Sequence, residues 1–175
     1  REGVADKKPK AMQKKAKIRK HRGKNMFREL RRKRQELPLK ESIDILMKGT
    51  SGILALSGDE GYPYAVPISY VYKDSKLYFH GAKSGHKIDA IKRQEKASFC
   101  VIAQDEVIPE KYTTAYKSVI VFGRIRIMED EAEIKKAAEA LAIKYHPDGS
   151  EAKRQNEIQS FWETLCMMEL SIEHV

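Results

Sequence analysis

Long apolar runs are missing from this sequence of 175 residues. A membrane-crossing helix needs roughly 20 consecutive apolar residues, and no stretch approaches that, so a soluble protein is expected. Cysteine is scarce: Cys100 and Cys166 lie far apart inside apolar runs, without the close pairs of thiol metal sites or redox motifs. Both are expected to be buried free thiols, which suits a cytoplasmic protein. His80, His86, His146 and His174 never fall at metal-ligand spacing and no H-E-x-x-H occurs, so no metal site is expected. The triphosphate loop G-x-x-x-x-G-K-[ST], the dinucleotide fingerprint G-x-G-x-x-G and the nucleophile elbow G-x-S-x-G are also missing. Those absences remove the commonest nucleotide-binding and acyl-transfer classes.

Charge is present in quantity but unevenly placed. Residues 1–25 hold 11 Lys/Arg against Glu2 and Asp6, which accounts for the whole formal charge of +9, while residues 26–175 balance 23 basic with 23 acidic side chains. The basic character therefore belongs to a tail with few apolar residues, expected to be disordered or helical only when docked. Met26 opens the segment MFRELRRKRQELP in the manner of a natural start, so residues 1–25 are expected to be an added extension. A nucleic-acid arm is the alternative reading of the tail. No apolar run follows the charges, as a secretory signal would require. Residues 26–175 are long enough for one well-buried core.

Along that domain, Leu39, Ile43, Leu46 and Met47 recur at helical spacing up to Gly49. GILAL and YPYAVPISYVY read as a hairpin around Gly58–Gly61, with Tyr64, Val66, Ile68, Tyr70 and Tyr72 on one face of the second strand. Pro63 and Pro67 cannot donate to a ladder, which predicts an irregular or edge strand, and a free edge is a useful place for a ligand. A turn at residues 73–76 leads into LYFH, a Gly/Ser loop and a helix through Ile88 and Ile91. ASFCVIA, SVIVFGRIRIM and the closing CMMELSIEHV read as strands, and residues 131–145 and 151–165 as helices. Early strands and late helices predict a mainly β, α+β fold: a small barrel or closed sheet with peripheral helices.

The segment His80-Gly81-Ala82-Lys83-Ser84-Gly85-His86-Lys87 is the most informative in the chain. Its glycines permit close backbone approach, Ser84 could cap the next helix, and the free N–H groups of a helix start attract an anion. With Lys83 and Lys87 beside it, phosphate is the natural guest; a plain solvated turn fits the same composition. His80 reads equally as a ligand contact or as a satisfied strand-end histidine. Tyr70, taken alone, is a core or surface aromatic more often than a cofactor wall.

The succession VPISYVY, LYFHGAKSGHK, ASFCV and YKSVIVFGRIRIM resembles the flavin-binding split barrels of the pyridoxamine-phosphate-oxidase-like superfamily, in particular the nitroimidazole-resistance (Nim) type, over roughly Phe27 to His174. The resemblance implies a split β-barrel binding flavin mononucleotide (FMN) at a homodimer interface. The flavin ring would lie along Pro67, Ile68, Ser69 and Tyr70, and Ser84 and Lys87 would hold the phosphate, with the charge of Lys83 beside them. His80 would sit near the ring, and Ser118 would approach from a neighbouring segment or subunit. It further implies an oxidoreductase for small oxidised substrates such as nitro-aromatics, with a nicotinamide donor and with His80 orienting substrate or donating a proton. The alternative of another class is a non-catalytic protein in which the same barrel holds flavin, haem or a deazaflavin as sensor or store. The arginine-rich substrate motifs of true pyridoxamine-phosphate oxidases are not found, so vitamin-B6 oxidation is disfavoured. Nucleic acid is expected only through the tail.

Overall fold

The computed structural model describes residues 27–175. The expectations for residues 1–25, and for Met26 as a start, lie outside the described residues. Strands β1 (Ser51–Ser57) and β2 (Pro63–Ser69) form the expected antiparallel hairpin, with Leu54 opposite Val66. Tyr70 ends the pairing, and the chain passes into β3 (Val71–Lys73), which turns back on β4 (Lys76–Ala82). Asp74 and Ser75 take φ of 53° and 62°, the left-handed pair that a tight two-residue hairpin needs. Strands β5 (Lys96–Ile108), β6 (Thr113–Ile127) and β7 (Leu165–His174) complete one seven-stranded antiparallel sheet in the order β2-β1-β5-β6-β7-β4-β3. Its two ends, β2 and β3, are consecutive in the chain. The sheet therefore curls into a barrel that is closed through the covalent chain and split between β2 and β4, as the sequence predicts.

The barrel core is packed by alternate residues. Leu54, Leu77, Phe79 and Phe99 are fully buried, and the Phe99 ring meets the edges of Tyr70 and Phe79 at centroid distances of 4.8 and 5.2 Å. Helix α1 (Leu39–Lys48) buries Leu46 completely, whereas Leu39 and Met47, expected on its apolar face, are more than half exposed. The inward stripe runs through Ser42, Ile43, Ile45 and Leu46 instead. Helix α2 (His86–Arg93) seals one barrel end with Ile88 and Ile91. Helix α3 (Glu131–Tyr145) matches its predicted span; the Asp130 side chain caps it by accepting the Glu133 N–H at 2.8 Å. Its Ala138 and Leu141 pack with Val71, Met128 and Met167 in a second cluster outside the sheet. Helix α4 (Glu151–Phe161) is shorter than the predicted 151–165 and buries no residue fully.

The β5–β6 hairpin is much longer than ASFCVIA and SVIVFGRIRIM suggested. A bulge at Ala103 breaks the register between Ile102 and Gln104, after which residues 104–108 pair only with 113–117. That two-stranded arm has no third strand among the described residues, because β1 pairs with β5 only up to Cys100 and β7 joins β6 only from Phe122.

Candidate functional site at the split

Two unpaired strand edges border the split. β2 pairs with β1 alone, and Pro63 and Pro67 stand two positions either side of Ala65, on the parity where a missing N–H leaves the ladder intact. β4 is paired along its whole length by β7, but β3 covers its other edge only from Lys76 to Tyr78. From Phe79 to Ala82 that edge is free, and β2 approaches β4 without pairing to it. Backbone groups on such edges can hydrogen-bond a flat heterocycle along its rim.

The loop after β4 supplies the charge. Gly85, at φ 111°, turns the chain into α2 and is itself the N-cap; the Ser84 side chain, expected to cap, makes no such bond. The first amides of α2 thus carry no capping side chain and are available to an anion. Lys87, in the first turn, folds back over β4. A Cβ on Gly81 would lie 3.0 Å from the Lys87 Nζ and 3.4 Å from the Met168 Cε, so glycine keeps this lane open. Burial pushes the Lys87 ammonium below the usual lysine range, with the nearby Cys166 thiol pulling weakly the other way. Cys166 lies opposite Gly81 on β7; burial pushes its thiol up, against the opposing pull of Lys87, Lys83 and Lys92. No carboxylate among the described residues pairs with Lys87. A half-buried cation with basic neighbours and no counter-ion is a place prepared for an anion.

The other predicted site residues are distributed as follows. Pro67 is exposed on the free edge of β2, with Ile68 half-buried against the core and Ser69 half-buried opposite Ser51. Lys83 and Ser84 are exposed in the loop. His80 is exposed opposite Met167 and makes no hydrogen bond to a described residue; its side chain leaves β4 on the face opposite to that of Gly81 and Lys87. Tyr70 corrects the expectation of a cofactor wall. Its side chain is fully buried and donates to the Leu46 carbonyl at 2.8 Å, because it continues into the core the inward-facing row of Tyr64, Val66 and Ile68. Even its N–H is taken, by the Tyr145 Oη at 3.0 Å, and its carbonyl accepts from Lys144. Ser118 lies on the outer face of β6, with β5 and β1 between it and β2, so one chain does not bring it to the split.

Sequence reading missed the clasp that fixes α2 over the β1–β2 turn. Arg93 meets Asp59 at 2.6 Å, and His86 stacks on Tyr64 with centroids 4.1 Å apart and its Nε2 3.5 Å from Asp59. The signal was limited to an acid in the turn and bases at the helix ends. Two clefts lie beside these elements: one of about 350 Å³ between α2 and the α3–α4 side, lined by Lys92 and Trp162 and adjoining the loop through Lys83 and Cys166, and one of about 360 Å³ beside the end of α1, lined by Lys48, Thr50 and Ile102. Neither is the split. Among the described residues no helix is long and apolar enough to cross a membrane, and no group of three or more acidic, histidine or cysteine side chains could hold a metal ion.

Comparison with known proteins gives a consistent frame. The family described as pyridoxamine 5'-phosphate oxidase matches residues 38–171. Among solved structures, a candidate 5-nitroimidazole antibiotic resistance protein from Bacteroides thetaiotaomicron VPI-5482 superposes with a TM-score of 0.66 at 17% identity, covering 79% of this chain and 82% of that one. An FAD and haem binding protein from Mycobacterium smegmatis gives 0.64 at 22% identity over 78% and 67%. An FAD-binding protein from Mesorhizobium loti gives 0.55 at 25% identity over 79% and 91%. No curated protein matches the sequence at a significant level.

Proposed function

Because the chain belongs to the pyridoxamine 5'-phosphate oxidase family, we propose that it is a flavoprotein holding FMN in the split between β2 and β4, and that it reduces small oxidised substrates such as nitro-aromatics. The observation that carries this reading is Lys87: a partly desolvated ammonium beside uncapped helix amides, without a carboxylate of its own. A phosphate dianion fits that donor set, and the free edges at Pro67–Ser69 and Phe79–Ala82 fit the polar rim of a flavin ring. Lys83 and Ser84 lie in the same loop and would complete the phosphate contacts. When bound, flavin supplies hydride transfer between a nicotinamide donor and the substrate.

The chain's own residues bind and orient. Lys87 and the α2 amides anchor one end, the strand edges fix the plane, and His80, on the other face of β4, is free to orient substrate or hold a proton away from the phosphate. The outer sheet face carries an exposed apolar row, Pro67–Ile53–Cys100–Ile120, across β2, β1, β5 and β6. A homodimer through this face would cover it and bring Ser118 of one copy toward the split of the other.

Lys87→Ala tests the reading. It should weaken FMN binding by about tenfold to more than a hundredfold, from the loss of roughly 1.5–3 kcal/mol of charge-assisted contact. Riboflavin, lacking the phosphate, should bind the parent poorly and be affected far less. Equal losses for the two ligands, with normal unfolding, would place the phosphate elsewhere.

A second reading, a non-catalytic flavin, haem or deazaflavin carrier or sensor, is favoured by one observation. His80 has no described hydrogen-bond partner to set its tautomer, a looseness that storage tolerates better than proton transfer. Turnover of a nitro-aromatic with reduced nicotinamide separates the two readings, and the visible spectrum of the purified protein separates flavin from haem.

A further inference from the structure

The cleft between α2 and the α3–α4 side combines an apolar floor with rims of opposite charge. The floor is well packed: Ile88, Met128 and Met167 are each at most 5% exposed. Trp162, the only tryptophan of the chain, stands half-buried at one side where α4 ends. The Lys135 ammonium lies 5.3 Å from the centroid of its ring, a cation–π contact that helps to hold the ring in place. On one rim Lys83 precedes α2 and Lys92 lies in its last turn; on the other Glu129 precedes α3 and Glu131 opens it. Elsewhere on the surface facing charges close into pairs, as Arg93 does with Asp59 and Arg126 with Glu133. These four do not: none lies within ion-pair distance of an opposite charge among the described residues.

We infer that this cleft binds a small zwitterion with a flat apolar side chain, the chemistry of a free aromatic amino acid, its carboxylate toward Lys92, its ammonium toward Glu131 and its ring against Trp162. The pattern selects that class. A simple anion would leave the glutamates unanswered and a simple cation the lysines, whereas a zwitterion answers both rims, and its apolar body matches the floor. Size agrees as well, since a cleft of about 350 Å³ admits a molecule of about a dozen heavy atoms. The ammonium and carboxylate of an α-amino acid sit on one carbon, and with a charge-assisted bond on each side they span roughly 8–9 Å, enough to bridge rims that are too far apart to pair directly. The inference does not rest on the flavin site: of the residues proposed to hold flavin only Lys83 lines the cleft, and the test leaves it untouched.

The test titrates the full chain with three probes, read by Trp162 fluorescence and by calorimetry. L-phenylalanine carries both charges, 3-phenylpropionate lacks the ammonium and phenethylamine lacks the carboxylate. L-phenylalanine should bind saturably with a Kd of about 1 mM or below, and each single-charge probe about tenfold more weakly. Lys92→Ala should weaken L-phenylalanine about three- to tenfold and leave phenethylamine unchanged. The double variant Glu129→Gln/Glu131→Gln should weaken L-phenylalanine similarly and leave 3-phenylpropionate unchanged. Both variants alter exposed side chains, so their melting curves and FMN affinity should match the parent's. Two results overturn the inference. Absence of saturable binding of L-phenylalanine by either method up to about 10 mM removes the site, and equal binding of the three probes reduces the cleft to an apolar surface that makes no use of its rims.

Discussion

Tyr145 places its phenolic oxygen 3.0 Å from the backbone nitrogen of Tyr70, tying the last residue of α3 to the point where the chain leaves β2 for β3. The same hydroxyl lies within hydrogen-bond distance of the Thr50 carbonyl, and Lys144 holds its ammonium 4.2 Å from the centroid of the Tyr70 ring. These contacts close the barrel where the sheet itself does not. Tyr145→Phe keeps the ring and leaves the Tyr70 N–H without a partner, at a cost of about 1–3 kcal/mol. Urea unfolding should show a lower midpoint with an unchanged slope; an unchanged midpoint would mean that water replaces the phenol freely.

Glu169 is the charged counterpart of that lock. Only 4% exposed on β7, it accepts from Lys76 at 2.9 Å and from Arg126 at 3.2 Å. Burial alone would raise its carboxyl, but the bonds from Arg126 and Lys76 outweigh burial and hold it below the usual carboxylate range. A carboxylate so lowered stabilises the fold above its unfolded value, and that contribution is lost as pH falls through the folded value. Its cationic partners are 36% and 47% exposed, so solvent screening reduces the worth of the pairs. Glu169→Gln should therefore cost about 1.5–3 kcal/mol near neutral pH, and the difference from the parent should shrink as pH drops below about 4. A gap that stays constant down to about pH 3 would assign the loss to packing.

Ile120 stands at the centre of the exposed apolar row, next to Cys100 on β5 and half exposed in the single chain. Ile120→Glu should leave the fold intact, since the side chain points away from the core, and should halve the mass seen by light scattering, because an unpaired charge is costly at the middle of an interface. Flavin affinity should fall with the dimer. A dimer that persists would put the contact on another face.

Periodicity made much of the fold legible. Ile134, Ala138 and Leu141 mark α3 because a helix resting on one sheet face must repeat its apolar residues. Two prolines at equal parity marked β2 as an edge for a reason that is local to the strand. Alternation with Tyr64, Val66 and Ile68 left Tyr70 open as a core aromatic, and its place as a wall came only from the family resemblance, which does not show how deeply a side chain is buried. The arm was hidden because Asp105, Glu106, Pro109 and Glu110 break the β-branched pattern, and such residues are common on ribbons without a third strand. Lys83, Ser84 and Lys87 stood out as a cluster, but the space that Gly81 leaves for Lys87 depends on the coiling of β4 against α2, which no local pattern contains.

That space gives the sharpest test of the site. A Cβ at Gly81 would stand 3.0 Å from the Lys87 Nζ, closer than ordinary contact, yet the neighbour is the far end of a flexible side chain and can move. The backbone of Gly81 is not in the left-handed region, so Gly81→Ala introduces no backbone strain and restricts the unfolded chain, an effect of about 0.4–1 kcal/mol in favour of the fold. Stability should thus stay level or rise slightly. Lys87, displaced from its lane, should swing toward solvent and lose its aim at the anion, so FMN affinity should fall severalfold while riboflavin binding hardly changes. Calorimetric titration of both ligands, with melting curves on the same samples, reads all three quantities. Weaker FMN binding at undiminished stability would tie the phosphate to the Gly81–Lys87 contact, whereas full FMN affinity in this variant would show that Lys87 holds its ligand from a position that Gly81 does not govern.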